Sequence, residues 1–236
     1  MGGLLNVILH RGSIYEIIAC LISATVVVFL TMPIHEFAHG FAASKLGDPT
    51  PRWQGRMSLN PMHHVDYFGA LMIYLVGFGY AKPVQVDSRY FKNPKRDMAI
   101  VAFAGPLSNL IFAFVSVFLS NLVRFIYVII GNHSVGVYNL FVILFSIFVY
   151  IAQINIMLAI FNLVPIPPLD GSKILGAFLP NRIYYQLMQY ERYFMIFVMF
   201  LVFAGTGFSN ALSKIVGSVF NGFDMVTAWP FELFLK

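Results

Sequence analysis

The chain has 236 residues, of which 59% are hydrophobic, 17% aromatic and only 11% charged, and its mean hydropathy is +0.78. An average soluble domain carries about a quarter charged residues, so this composition excludes a soluble globular domain and reads as a polytopic membrane protein. The formal charge of +5 then reports cytoplasmic loops rather than nucleic-acid binding, and a single cysteine, Cys20, rules out an internal disulfide.

The N-terminus, M-G-G-L-L-N-V-I-L-H-R-G, lacks a basic n-region and a small-residue cleavage site, so no removable signal peptide is expected. The first apolar run covers 14–44 and continues through the stretch H-E-F-A-H. A long polar segment follows at 45–97. It carries Lys45, Arg52, Arg56, Lys82, Arg89, Lys92, Lys95 and Arg96. Within it, F-G-A-L-M-I-Y-L-V-G-F-G-Y (68–80) is too short to span and is framed by glycines. It reads as a re-entrant piece or as strands in a small sheet at the membrane surface. Two further spans are expected at 98–130 and 138–164, and a short fourth one at 192–204. The tail, 208–231, has amphipathic character and is expected to lie in the interface.

The fold class read from this pattern is an all-α polytopic membrane protein forming one integral-membrane domain over 1–236. It has about four transmembrane helices and a small β-rich or re-entrant segment between the first two. Positive charge marks the cytoplasmic side. By that rule 45–97 and 165–191 are inside, and the N-terminus is outside.

His35 and His39 are four residues apart, so on a helix they lie on one face and can hold one metal ion between them. Glu36 sits beside that face. There it suits a base acting on a metal-activated water better than a third ligand, as in the H-E-x-x-H motif of zinc proteases. Three of the chain's few ionisable groups therefore share five residues at membrane depth, where such groups are costly and by default functional. The bland alternative is a snorkelling helix end.

Catalytic zinc takes three protein ligands, so a third His, Glu or Asp is needed at the same depth. The third span ends F-N-L-V-P-I-P-P-L-D-G (161–171), where the prolines must break the helix. Topology brings Asp170 to the level of His35 and His39. Taken alone, P-P-L-D-G is equally an ordinary turn.

Together these stretches resemble the site-2 protease family of intramembrane zinc metalloproteases. The resemblance rests on H-E-F-A-H (35–39), G-P-L-S-N (105–109) and N-L-V-P-I-P-P-L-D-G (162–171), in the family's order. The stretch S-L-N-P-M-H-H-V-D-Y-F-G (58–69) is similar to short prokaryotic members, and the resemblance implies a short type for which no PDZ or CBS domain is expected. The resemblance implies one zinc ion per chain, bound by His35, His39 and Asp170, with Glu36 as general base. It also implies that Asn109 and Asn162 position substrate or stabilise the oxyanion. The implied substrates are transmembrane proteins, cut in or near their membrane helices. The implied location is the cell membrane, with the site near the cytoplasmic face.

His63 and His64 with Asp66 suggest a second metal site only weakly, because neighbouring histidines seldom point the same way. Lining the cleft or fixing the loop suits His64 and Asp66 better. An edge strand within 55–86 is a further expectation, as a platform for pairing with an unwound substrate. The alternative functional reading is a transporter or metal carrier built on the same His/Asp constellation. A silent relative would be expected to lose a ligand or the glutamate, and this sequence keeps all four.

Overall fold

The computed structural model describes residues 3–131, 134–204 and 206–234. The helices, in chain order, are α1 (Leu4–Leu9), α2 (Ile14–Val26), α3 (Met32–Lys45), α4 (Thr50–Trp53), α5 (Tyr67–Val76), α6 (Pro94–Ile130), α7 (Val135–Asn162), α8 (Asp170–Gly176), α9 (Asn181–Gln189), α10 (Glu191–Ala204) and α11 (Thr206–Phe234).

The first span starts on a capping box. Ser13 Oγ accepts from the Glu16 amide, and the Glu16 carboxylate accepts from the Ser13 amide at 2.7 Å. The helix then runs without interruption from α2 into α3 through a π turn at Val27–Thr31. Pro33 stands just beyond that turn and cannot donate a hydrogen bond to the preceding one. The widened turn keeps the helix continuous, and it lies directly before His35, a placement common near functional sites. Helix α6 runs 37 residues through the internal Pro106 and ends on Gly131, which is left-handed.

Ile14–Lys45, Pro94–Ile130 and Val135–Asn162 are long and apolar enough to cross a membrane. Among the described residues they are the three such helices. The fourth crossing expected at 192–204 lies in α10, whose 14 residues fall short of the roughly 20 that a hydrocarbon core requires. The tail does not form an isolated surface helix. It is α11, packed lengthwise on α6. Phe223 meets Phe114, and Phe231 lies between Phe118 and Phe125. Asn121 donates to the Asp224 carboxylate at 2.8 Å and to Thr227 Oγ1 at 3.0 Å. Asp224 and Thr227 thus face α6, while Ser213, Lys214, Ser218 and Asn221 stay exposed.

The β-rich reading of 45–97 is wrong. Among the described residues there is no strand. The 68–80 run folds instead as helix α5, because Asp66 caps it by accepting from the Phe68 and Gly69 amides. Left-handed Gly77 ends it. The chain then returns in extended form along its own helix, so closely that a side chain at Gly69 would strike the Tyr80 backbone. Helix α5 lies against the first span, with Tyr74 Oη 2.7 Å from Thr25 Oγ1 and Ile73 packed among Ala24, Val27 and Val28. At its far end Val76 and Gly77 touch Gly3. This helical hairpin follows the first span back from the level of Met32 to that of α1. An apolar run of this length cannot be assigned to helix or strand by periodicity alone. With no edge strand present, the strand-pairing expectation falls too.

Candidate metal centre and its cavity

His35 and His39 leave α3 on one face, as their spacing requires. Asp170 reaches them from the first turn of α8. It gets there because the chain breaks after Asn162 and folds back over its own helix end. Gly171 permits that return, since any side chain on it would collide with the Leu163 and Val164 carbonyls.

The three donor atoms form a tight triangle. His39 Nε2 lies 3.1 Å from His35 Nε2 and 3.1 Å from Asp170 Oδ2, and His35 Nε2 lies 3.6 Å from the same oxygen. Tetrahedral arms of about 2.0–2.1 Å place donor atoms about 3.3 Å apart. All three side chains are buried. Lone pairs held this close and this dry repel one another, and a cation between them removes the conflict. The donor set and its dimensions therefore fit zinc. Among the described residues this is the one group of three or more His, Cys, Asp or Glu that could hold a metal ion.

The surroundings orient the donors. His39 Nδ1 donates to the Val101 carbonyl of α6 at 2.7 Å, which leaves Nε2 bare toward the triangle. His35 Nδ1 is buried without a hydrogen-bond partner among the described residues. The second oxygen of Asp170, Oδ1, accepts from Lys173 Nζ at 3.3 Å. Burial pushes the Asp170 carboxyl up, but the two imidazoles and Lys173 outweigh it and hold the group well below the usual carboxylate range. Lys173→Met is expected to weaken zinc binding by roughly 10- to 100-fold, with Lys173→Arg restoring most of it. Competition with a chromophoric chelator reads that change directly.

One residue of the centre had no obvious chemical signature in the sequence. Gly105 of α6 lies flat against both imidazoles, and a Cβ there would collide with His39 Nε2 and Cε1 and with His35 Cε1. The G-P-L-S-N stretch reads as a packing point or kink. Its first glycine is a wall of the metal centre.

The triangle opens on a cavity of about 550 Å³. Glu36, Asn109 and Asn162 all line it, together with Asp66 and Lys173. Asn109 is 1% exposed, and its Oδ1 has no hydrogen-bond partner among the described residues. Glu36 Oε2 accepts from the Val84 amide at 2.8 Å. His64 is not in the cavity wall. It is fully buried, with Nε2 donating to the Ser58 carbonyl and its own carbonyl accepting from the Lys82 amide. It fixes the loop. His63 is exposed, and its ring meets the Gly55 carbonyl, so the two histidines do not form a second centre.

A profile of peptidase family M50 matches residues 23–205, most of the chain and all three motifs. The chain belongs to peptidase family M50. It is also 40% identical over 180 residues to "Putative zinc metalloprotease YwhC" of Bacillus subtilis (strain 168), covering 75% of this chain and 78% of that protein. It is 30% identical over 158 residues to "Putative zinc metalloprotease Rip2" of Mycolicibacterium smegmatis (strain ATCC 700084 / mc(2)155), covering 64% and 54% of the two chains. The Rip2 of Mycobacterium tuberculosis (strain ATCC 25618 / H37Rv) is 25% identical over 183 residues, 75% of this chain and 65% of that protein. No solved structure gives a significant match. Membership in this M50 family, with three apolar helices, makes the protein a multi-pass membrane zinc metalloprotease.

Proposed function

We propose that this M50 protein is an intramembrane endopeptidase that cuts peptide bonds in or near the transmembrane helices of other membrane proteins. In this reading His35, His39 and Asp170 hold the zinc and Glu36 is the general base. The observation that carries it is the buried donor triangle at the end of an apolar span, with a glutamate beside it in the same cavity. Zinc, when bound, brings the pKa of a water down to about 7 and polarises a scissile carbonyl.

The chain's own groups do the rest. Glu36 takes the proton of the attacking water and passes it to the leaving amine. Asn109 and Asn162 turn neutral N–H donors toward the oxygen where negative charge develops. The orphaned Oδ1 of Asn109 is an acceptor without a partner among the described residues, and it suits a substrate N–H, so that Asn109 also positions the peptide. Lys173 holds the second oxygen of Asp170 and so orients that ligand. The substrate helix unwinds locally, since its own hydrogen bonds shield its carbonyls. The cluster of lysines and arginines in 45–97 supports a site near the cytoplasmic face and an N-terminus outside.

A metal carrier would use the same three ligands but has no need of Glu36. The test is metal removal from protein reconstituted in vesicles with a transmembrane test substrate. Stripping zinc with a chelator should abolish cleavage, and added zinc should restore it. Cleavage that survives complete stripping would overturn the reading.

A further inference from the structure

The return strand of the helical hairpin does more than wall the cavity. Residues 78–87 cross α3 as a strap without regular secondary structure, and three of its backbone amides are tied down. The Lys82 amide donates to the His64 carbonyl at 2.8 Å, the Val84 amide to Glu36 Oε2 at 2.8 Å, and the Asp87 amide to Asp48 Oδ2 at 2.9 Å. The outer ties have firm seats, because His64 and Asp48 are both fully buried. Asp48 is itself fixed through its other oxygen, which accepts from the Thr50 amide.

The strap also packs where it bonds. The Val84 side chain lies over Gly40, one turn beyond Glu36 on the same face of α3. Amide and side chain of one residue therefore register on two successive turns of the helix that carries the base.

Building on the proteolytic reading above, we infer that the Val84 backbone amide is a positioning group for Glu36. It holds Oε2, fixes the carboxylate's rotation, and leaves Oε1 to meet the water. Among the described residues Glu36 makes no other hydrogen bond or ion pair, so this amide alone holds that orientation. Seating of the strap and readiness of the base become one event. A carboxylate accepting a backbone N–H gains a charge-assisted bond, stronger than a neutral one. A base that must be oriented before reaction loses rate rather than substrate affinity when it is released.

Two measurements test this. In the first, Val84 is replaced by its α-hydroxy acid analogue, so that an ester oxygen stands in place of the N–H and the side chain is kept. The kcat of the reconstituted enzyme should fall about tenfold or more, with KM within about twofold and zinc content unchanged. The same ester placed at Gln85, whose amide makes no hydrogen bond among the described residues, should stay near wild type. A Val84 ester as fast as the Gln85 ester would overturn the proposal. The second is hydrogen exchange of the Val84 amide in zinc-free protein without substrate. Exchange should be slow in wild type and should accelerate at least tenfold in Glu36→Ala, while the Lys82 amide is unchanged. Indifference of Val84 to Glu36→Ala would also overturn it. That arm needs no cleavage, so it decides the contact even if the proteolytic reading fails.

Discussion

Gly105→Ala is expected to remove zinc binding and cleavage together. The added methyl would occupy the space now filled by the edges of the His35 and His39 rings. Both rings must swing away, or α6 must part from α3. Neither is easy. Gly105 is buried within a 37-residue helix. His39 is held to that same helix through the Val101 carbonyl. A misplacement of about 1 Å costs roughly 100-fold in rate, and here the displaced atoms are the ligands themselves. Overpacking of this kind also costs about 1–3 kcal/mol of stability. The control is Gly136→Ala in α7, where an added Cβ meets none of the described residues within 4 Å, and it should leave zinc and activity at wild-type levels. Zinc content by atomic absorption, with thermal unfolding alongside, checks both variants. A Gly105→Ala protein with full zinc and full activity would show that α6 does not press on the centre.

Glu36→Gln is expected to do the opposite to zinc and the same to cleavage. The amide of Gln still has an oxygen for the Val84 N–H, so the strap should stay seated and the three ligands are untouched. What is lost is the ability to take a proton. General-base catalysis contributes about 10²–10⁴-fold, and cleavage should fall by at least that much with zinc unchanged. The same variant separates the protease from a metal carrier, which would keep moving metal with a neutral residue at 36. Zinc uptake into sealed vesicles, measured beside cleavage, tells the two apart. Glu36→Gln protein that cleaves at wild-type rate would remove the glutamate from its proposed role.

The chemistry was legible where it is written in side chains at fixed spacing. H-E-F-A-H implies two donors and a base on any helix, and P-P-L-D-G places an acid just past a forced helix break. The spans followed from composition, because few other sequences tolerate three such runs. The hairpin was misread for a definite reason. Glycines at 69, 77 and 79 look like turn signals around a short apolar run, yet Asp66 two residues before Phe68 was an N-cap that favoured helix. Gly105 was not legible as a wall of the site, since a glycine reveals nothing about what approaches it. The Val84 contact was beyond reach for a similar reason. Its donor is a backbone amide that every residue but proline carries, and it meets Glu36 across 48 residues of chain. The tail's contact with α6 was not legible, because polar residues that complete a helix contact, such as Asp224 and Thr227, resemble a water-facing stripe.

The central claim is that two motifs more than a hundred residues apart build one zinc centre. The most direct measurement is zinc per chain in purified wild-type protein beside Asp170→Ala. About one zinc in wild type, lost or greatly weakened in the variant, is the expected result. Full retention of zinc by Asp170→Ala would contradict it and would put the third ligand elsewhere.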